Sequence, residues 1–546
     1  MDKSKLSALL TACIMLSGCA ASDDSSPLES NMDSESSSVT NTELSEKDSP
    51  DNGSAVSEVK YDNVSGCLPV IDIRTKKEGK GSLDFVTKPT ARHVSESIAS
   101  WQASYTIPPE PFYEECSITV SDAEHKLLLE NADAEVKVRG NWTTAYNKKP
   151  LRIKFAEKHG MLGLGDGEEY KNWVLLAEYK DFSMLRNKTG LMLGSEILGS
   201  DGYYSSDSQL AEVRINGEYW DVYLLAEHQQ AGKGRVDITK PEKDQTSTDI
   251  GYFIEYNDQY YSEDALERFR VNYHSNALLT PYDGKGGSGR TAHPFANGRK
   301  DIGFTIKSDI YSQEQHDTIS KFANNAYNIM YEAAYNDKAF VMTDNYTDIV
   351  ETTDLTPQQA VEKAVDVRSL VDSYIVAELT CDADIYLTSF FMDVDLGKDG
   401  SGKLTFEAPW DFDSALGNKD RCADGTGYYA SNLITDVNGQ GLDMSNPWLM
   451  VLQYEDWFRE MIYDRWTEIY DNGTFDRVYE MISSESEKYE KAFELNYEKW
   501  DNIRNNGASN ELCRAAAACK SEKEAADYLR SWLTSRVEFL NSEWHR

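Results

Sequence analysis

Basic residues are scarce in this chain of 546 residues, in which 55 lysines and arginines accompany 93 aspartates and glutamates, a formal net charge of −38. This shortage argues against a nucleic-acid-binding protein, because phosphate backbones are bound by basic surfaces. It also argues against electrostatic anchoring on anionic lipid. Long apolar runs are missing beyond the N-terminus, and the mean hydropathy is −0.58, which excludes a protein that crosses a membrane many times.

Several motifs are missing as well. The chain has no Cys-x-x-Cys pair, and its eight histidines are scattered, so no zinc-ligand spacing is present. The run GKGGSGR at 284–290 lacks the spacing of a nucleotide-binding P-loop, and we interpret it as part of a surface insertion. What the chain does have is 40% apolar and 11% aromatic residues, enough to build a packed core.

The N-terminus has the pattern of an exported lipoprotein. Lys3 and Lys5 precede a short apolar segment, residues 6–15, which is too short to span a bilayer. The following LSGC at 16–19 is similar to a bacterial lipobox. We therefore expect cleavage before Cys19, lipid attachment to Cys19 and a cell-envelope location, at the outer membrane or the cell surface. An ordinary secretory signal with an incidental cysteine is the alternative.

A polar segment follows this signal. Residues 20–60 are rich in Ser, Asp and Glu and contain no aromatic residue. Such a segment cannot bury enough apolar surface to offset its ordering entropy. We predict a signal peptide at 1–19 and a disordered acidic tether at 20–62. An N-terminal β-rich lobe at 63–240 follows, then a central segment at 241–446 that carries the acidic active site and insertions, and a C-terminal helical segment at 447–546.

The remaining cysteines predict disulfides. Without Cys13 of the signal and Cys19, six cysteines remain, and an even number is typical of exported domains with disulfides. Several pairings are open, and the order along the chain favours Cys67–Cys116, Cys381–Cys422 and Cys513–Cys519.

Hydrophobic periodicity predicts an α+β fold. Residues 117–155 alternate as strands do, and in 151–155 the apolar side chains share one face while Arg152 and Lys154 share the other. Further strands are predicted at 171–178, 251–256, 304–307, 386–394 and 403–410, with a hairpin at 211–227 that turns at Asn216-Gly217. Helices are predicted at 182–197, at 366–379 and from 447 onward, where aromatic stripes indicate packing.

Two segments concentrate carboxylates among apolar residues, ELTCDAD at 378–384 and APWDFDSALGN at 408–418. Carboxylates in such a setting are costly unless they are paired or bound to a cation. Asp411 and Asp413 would face the same way in a regular strand and would suit Mg²⁺. A structural network with Arg or Lys, or a helix cap at Asp413, is the alternative.

Basic residues cluster upstream, around a predicted turn between strands. They are Arg139, Lys148, Lys149, Arg152 and Lys154. They are either a solvated face or a phosphate-binding surface, since Arg and Lys bind phosphate through charge-assisted hydrogen bonds. Together with aspartates that bind Mg²⁺, they would make a phosphoryl-transfer site.

These stretches, in this order, resemble the spore coat protein H (CotH) kinase-like family. The resemblance covers about residues 117–545 and is carried by RGN (139–141), KKPLRIKF (148–155), KNWVLLAEYKDFSMLRNK (171–188), VRINGEYWDVYLLAEHQQAGKGRVDI (213–238), AELTCDAD (377–384) and PWDFDSALGN (409–418). It implies an atypical protein-kinase-like fold with an N-terminal β-rich lobe and a C-terminal mostly helical lobe. It also implies transfer of the γ-phosphoryl group of ATP to Ser/Thr of a protein substrate, with Mg²⁺ or Mn²⁺.

The resemblance also implies roles for the acidic residues. Asp384 would be the catalytic aspartate that orients or deprotonates the acceptor hydroxyl. Asp411 would ligate the metal, with Asp413 beside it and Asp382 as a further ligand. Asp382 stands where the family often has Asn and adds negative charge, which raises carboxyl pKa values nearby.

The implied nucleotide-binding residues come from the β-rich lobe. Lys154 would bind phosphate with Glu227 as its ion-pair partner, and Arg139, Lys149 and Lys307 are further phosphate-binding candidates. The resemblance therefore predicts that Asp384 and Asp411 oppose Lys154 across a cavity wide enough for a triphosphate.

Two other functions stay open at this stage. One is a surface adhesion or structural lipoprotein on a kinase-like scaffold without catalysis, because ATP is scarce outside the cytoplasm and a fold does not fix a function. The other is nucleotidyl transfer from ATP to protein. The presence of Asp384, Asp411, Asp413 and Lys154 favours phosphoryl transfer.

Overall fold

The computed structural model describes residues 59–273, 302–382, 384–419, 446–453, 455–503 and 509–546. The predicted signal peptide with Cys19, most of the tether, the run 284–290 and Cys422 lie outside these residues. The strands of the described residues are β1 (Val70–Thr75), β2 (Glu114–Ser121), β3 (Leu127–Val138), β4 (Leu151–His159), β5 (Tyr170–Leu176), β6 (Ser208–Ile215), β7 (Glu218–Glu227), β8 (Gly251–Asn257), β9 (Arg268–Phe269), β10 (Gly303–Ile306), β11 (Phe340–Met342), β12 (Ile349–Glu351), β13 (Phe390–Asp395) and β14 (Thr405–Phe406). The helices are α1 (Asp84–Thr87), α2 (Arg92–Trp101), α3 (Arg186–Ile197), α4 (Gln313–Asn336), α5 (Pro357–Ala364), α6 (Val367–Thr380), α7 (Pro447–Met450), α8 (Asp456–Asp471), α9 (Thr474–Lys488), α10 (Glu490–Trp500), α11 (Arg514–Ala518) and α12 (Glu522–Trp544).

The N-terminal part is a closed β-barrel. Its strand order is β1-β2-β3-β4-β5-β7-β6, and a parallel pairing of β6 with β1 closes it. Leu151, Ile153 and Phe155 of β4 point into the barrel core with Trp173 of β5, as the alternation predicts. Closure leaves no unpaired edge in this sheet.

The predicted Asn-Gly turn joins β6 and β7. Asn216 and Gly217 both have positive φ, 53° and 85°, which is the conformation that a two-residue hairpin turn needs. The hairpin brings β7 next to β5, so that Glu227 at the end of β7 pairs with Trp173 of β5.

The C-terminal part is mainly helical and shares its core with a second sheet, of order β14-β13-β8-β10-β9. Most residues of the predicted aromatic stripes are buried in this core, including Trp466 of α8 and Trp532 of α12, whereas Tyr470 is 39% exposed. The predicted α+β class is thereby confirmed, with a β-rich N-terminal and a helical C-terminal part. Within the described residues no helix combines the length and the apolar character that a bilayer span requires.

Two predicted strands are shorter than expected. The strand predicted at 386–394 begins only at Phe390, after a single 3-10 turn at Asp384–Tyr386, and the strand predicted at 403–410 is reduced to β14. In the second case Ala408, with a φ of 60°, leaves the extended conformation, and Pro409 after it cannot donate a hydrogen bond to a neighbouring strand. The WDFD segment at 410–413 is therefore a loop and not a strand.

The predicted Cys67–Cys116 and Cys513–Cys519 disulfides are not formed in the structure, where these four cysteines are free thiols. The predicted Cys381–Cys422 pair stays a prediction, because Cys422 lies outside the described residues. Cys116 points into the barrel core, whereas Cys67 packs against the larger core outside it, so the two side chains lie on opposite sides of the barrel wall. Cys513 instead accepts a hydrogen bond from Ala516 N (3.4 Å) at the start of α11.

Helix α3 provides the surface against which the WDFD loop packs. A Cβ added to Gly190 would lie 2.1 Å from the ring of Phe412, so only glycine leaves room for this side chain. At Gly199, just after the helix, an added Cβ would meet only Ser195 Oγ at 3.6 Å. A substitution at Gly199 is therefore a suitable control for the same substitution at Gly190.

We expect Gly190→Ala to lower the free energy of unfolding by about 1–2 kcal/mol. Alanine favours the helix by up to about 1 kcal/mol, but displacing a packed aromatic ring costs about 1–3 kcal/mol. Urea titration followed by tryptophan fluorescence measures the change, with Gly199→Ala as the control. Equal stability of the two variants would contradict this packing.

Candidate active site

The two aspartates of the WDFD loop line one cavity, of about 30 Å³, between this loop and the barrel. The polar side chains that line it include Asp411, Asp413, Arg139, Lys148, Glu178 and Asn187. Trp410 and Phe412 line a second cavity of similar size. Asp411 and Asp413 therefore do share a side of the loop, although a turn and not a strand places them there.

Asn187 of α3 connects this loop to Glu178 behind β5. Its Nδ2 donates to Glu178 Oε1 (2.9 Å), and its Oδ1 accepts from Phe412 N (2.7 Å). Asp411 has a φ of 72°, a left-handed conformation that costs a non-glycine residue about 1–2 kcal/mol. The amide of Asn187 therefore stabilises the turn that presents Asp411.

Glu178 is a buried carboxyl group on this cavity. Burial raises its pKa well above the usual value, the nearby Asp181 raises it further, and Asp413 acts in the same direction. Lys148, on the same cavity, is fully buried and lies 3.2 Å from Asp221 Oδ2. Because its Nζ also donates to Asn496 Oδ1 (2.8 Å), Lys148 is anchored in the barrel wall.

Asp413 belongs to a chain of ion pairs. Its Oδ1 lies 3.9 Å from Lys419 Nζ, and Lys419 lies 3.9 Å from Glu511, which also pairs with Lys180 at 3.1 Å. Burial would raise the pKa of Glu511, but Lys419 and Lys180 outweigh it and lower the pKa to about 2. The structural network considered from the sequence is therefore present at Asp413.

Cations converge on His228, directly after β7. Burial, followed by the charges of four surrounding cations, keeps the pKa of His228 well below its usual value, so the imidazole is neutral. These cations are Arg152, Arg139, Arg235 and Lys307. Arg152 donates to Asn172 Oδ1 (3.0 Å), and burial lowers its pKa to about 10. We call these four cations the cationic cluster.

Arg139 joins the two sides of the site. Its guanidinium carbon lies 5.8 Å from the centre of the Trp410 ring, and its side chain lines the cavity of Asp411 and Asp413. Arg139 is also one of the cations that surround His228. The carboxylate cavity and the cationic cluster are therefore adjacent.

Lys154 and Glu227 do not form the predicted ion pair. Lys154 lies 4.0 Å from Glu135 Oε2, whereas Glu227 lies 3.3 Å from Arg235 Nε and accepts a hydrogen bond from Asp207 N. The strand register explains this. Glu227 pairs through Trp173 with Ile153, so it shares the inner face with Ile153, while Lys154 is on the outer face.

Two of the other predicted phosphate ligands belong to the cationic cluster, and one does not. Arg139 and Lys307 belong to the cationic cluster, and Lys307 also lies 3.4 Å from Glu255 Oε2. Lys149 instead donates to the carbonyl of Thr144, and burial lowers its pKa to about 8. Lys149 therefore stabilises the turn at 142–145 and does not face the cluster.

Asp382 and Asp384 lie apart from the Asp411 cavity. Asp384 N donates to Asp382 Oδ1 (3.0 Å), and Asp382 lines the second cavity together with Glu407. Among the residues that the structure describes, no three acidic, cysteine or histidine side chains form a group that could hold a metal ion. The expected set of Asp382, Asp411 and Asp413 is thus not assembled.

The cavity fits a cation but not a triphosphate. Mg²⁺ is commonly held by one or two carboxylates and completes its shell with water and phosphate oxygens, so Asp411 and Asp413 are suitable ligands. A volume of about 30 Å³ matches about one water, well below the several hundred Å³ of a ligand pocket. The rings of Tyr146 and Tyr179, 5.6 Å apart, occupy this wall.

Sequence reasoning assigned no role to Glu178, Asn187 or His228. Glu178 is the last residue of the strand predicted at 171–178, and His228 directly follows the hairpin predicted at 211–227. A polar residue at the end of an apolar strand is the signal that could have found them. Asn187 carries no such signal, because its role depends on contacts with a distant loop.

We expect Glu511→Gln to destabilise the protein by about 1–3 kcal/mol at pH 7. The folded pKa of Glu511 is about 2, against an ordinary value of 4.5. Its contribution is therefore present above pH 4.5 and is lost as the pH falls from 4.5 to 2. Urea titrations between pH 2.5 and 7 measure it, with the exposed Glu543→Gln as control. A pH-independent difference would contradict the network.

Comparison with known proteins identifies the family of this chain. The protein-family model described as CotH kinase protein matches residues 136–540, which include the cationic cluster and the carboxylate cavity. No curated protein matches the sequence. The matched residues are most of the chain, so the resemblance found in the sequence is confirmed, and the chain belongs to the CotH kinase family.

Proposed function

We propose that this kinase-family protein transfers the γ-phosphoryl group of ATP to Ser/Thr hydroxyls of envelope or surface proteins. The observation that supports this most is the position of Arg139, between two carboxylates that suit a hard cation and a cluster of cations that suits phosphate. Phosphoryl transfer depends mainly on such positioning and on neutralisation of phosphate charge. The family also implies the atypical protein-kinase-like fold.

The residues divide by the charge that they would bind. Asp411 and Asp413 would hold Mg²⁺, or Mn²⁺, which neutralises phosphate charge when it is bound. Arg139, Arg152 and Lys307 would bind phosphate oxygens through charge-assisted hydrogen bonds. His228 is neutral and adds no positive charge. The charge that orients the phosphates would therefore come from these three side chains.

Asp384 remains the proposed catalytic aspartate on the ground of the family resemblance. Its backbone N–H is fixed by Asp382, which orients the turn that carries it. Only 1% of Asp384 is exposed, so an acceptor hydroxyl could reach its carboxylate only after the neighbouring chain has moved. Its role is to orient the hydroxyl or to accept its proton.

The location of the protein is also a proposal. The lipobox-like LSGC ending at Cys19 and the acidic tether support an exported lipoprotein, held by its lipid at the outer membrane or the cell surface. Protein substrates, and not nucleic acids, fit the net charge of −38.

An adhesion or structural lipoprotein without catalysis is the second candidate. Three observations favour it, namely the small volume of the Asp411 cavity, the engagement of Asp413 with Lys419 and the separate position of Asp382. A scaffold that has lost catalysis would show this combination of filled cavity and internally paired acids.

We expect ATP with Mg²⁺ to raise the thermal unfolding midpoint of the full chain. At a hundredfold excess of ATP over its Kd, the free energy of unfolding should increase by about 2–3 kcal/mol. Asp411→Asn should abolish the shift, and Asp399→Asn in a surface turn should retain it. Transfer of label from γ-labelled ATP to protein then defines the reaction. No shift and no label would support adhesion, and label from α-labelled ATP would indicate nucleotidyl transfer.

Arg152 and Lys154 offer a sharper test, because they lie on the same outer face of β4. We expect Arg152→Gln to weaken ATP binding about tenfold to a hundredfold, the loss expected for a hydrogen bond to a charged group. Lys154→Gln should change binding less than threefold. Nucleotide titrations by calorimetry measure both. The reverse order would restore Lys154 as the phosphate ligand.

A further inference from the structure

A third and much larger cavity lies in the helical part, between α9, α10 and the start of α12. Its volume is about 810 Å³, within the usual range of ligand sites. It shares no lining residue with the Asp411 cavity. Its apolar surface is provided by Ile482, Phe493, Ile503 and Ala526.

The charged walls of this cavity are mostly acidic. They carry Glu487, Glu490, Glu494, Glu498, Glu522 and Asp527, against the basic Lys520 and Lys523. Lys523 is already 3.1 Å from both carboxylate oxygens of Asp527. In the described part of the chain, Glu490, Glu494 and Glu498 have no such ion pair. They recur every four residues and so form one stripe along α10, about 12 Å long at 1.5 Å per residue.

Glu522 supports a cation-binding role of this cavity independently of the glutamate stripe on α10. Only 7% of this residue is exposed, and it lines the cavity. Its Oε2 accepts a hydrogen bond from Ser486 Oγ (2.8 Å), while its Oε1 has no hydrogen-bond partner. A buried polar atom without a partner costs about 1–3 kcal/mol, and a cationic donor in the cavity would remove this cost.

We propose that this cavity binds a segment of a partner polypeptide that carries lysine or arginine side chains, one of which pairs with Glu522. The apolar surface suits the aliphatic stems of such side chains, and the glutamates suit their charged ends. The stripe on α10 is long enough for about four residues of extended chain, at about 3.3 Å each. A single small amine would leave most of the stripe without a counter-charge.

The protonation of Glu522 gives the proposal a pH signature. Burial raises its pKa to about 8, opposed by the hydrogen bond from Ser486, and the facing charges of Asp181, Lys523 and Asp527 also act on it. Tyr497, on the same cavity, has a pKa well above its usual value and stays neutral. At pH 7 the empty site therefore holds Glu522 mainly protonated, and pairing with a cation requires its ionisation.

The test is fluorescence anisotropy of a labelled, capped peptide, Lys-Leu-Lys-Leu-Lys, titrated with the full chain. We expect saturable binding that tightens about tenfold from pH 7 to pH 9, because the cost of ionising Glu522 disappears. Glu522→Gln should weaken binding at pH 9 at least tenfold and remove the pH dependence. Glu524→Gln, in the same helical turn but not on the cavity, is the matched control and should bind as the unmodified protein does.

Other outcomes would overturn the proposal. They are equal binding by Glu522→Gln and Glu524→Gln, equal binding of a Gln-Leu-Gln-Leu-Gln peptide, or binding of 1,5-diaminopentane as tight as that of the peptide. If Glu522→Gln does not fold, Glu494→Gln replaces it, with an expected loss of about threefold. None of these results depends on ATP, so failure here and failure of phosphoryl transfer are distinguishable.

Discussion

The geometry of the candidate site depends on one side-chain amide, that of Asn187. It holds Glu178 on one side and the backbone of Phe412 on the other, so it sets the turn that presents Asp411 and Asp413. Gly190, three residues further along α3, lies on the same helical face and leaves the space for the Phe412 ring. One face of one helix therefore positions the WDFD loop against the barrel wall.

The cationic cluster is costly as it stands. Burial lowers the pKa of Arg152 to about 10, and burial together with neighbouring cations keeps the pKa of His228 well below its usual value. Glu227 lies 3.3 Å from Arg235, and Glu255 lies 3.4 Å from Lys307. Unfavourable charge crowding of this kind is typical of sites that bind a ligand of the opposite charge.

The sequence predicted what depends on local periodicity. The inner and outer faces of β4, the Asn-Gly hairpin and the buried aromatic stripes follow from spacing alone. It could not predict the ion-pair partner of Lys154, because the partner of an outward-facing side chain depends on the register of β3, β5 and β7. Nor could it place Asp411, whose turn depends on a contact of Phe412 with distant Asn187. The predicted pairing of Cys67 with Cys116 was wrong for a similar reason. The barrel wall that separates these two side chains is formed only when the strands close into a barrel.

The distribution of charge distinguishes the Asp411 cavity from the large cavity of Glu522. Around Asp411 and Asp413 the acids face Arg139 and Lys419, so the site is nearly neutral and complementary to a cation that carries an anionic ligand. Around Glu522 the acids have few cations to face, and the surplus is negative. Of these acids only Glu522 is buried, whereas the others are exposed and can meet a ligand without a large desolvation cost. A protein that binds a polyphosphate at one site and a basic polypeptide at another requires this separation, because a shared site would bind one ligand at the expense of the other.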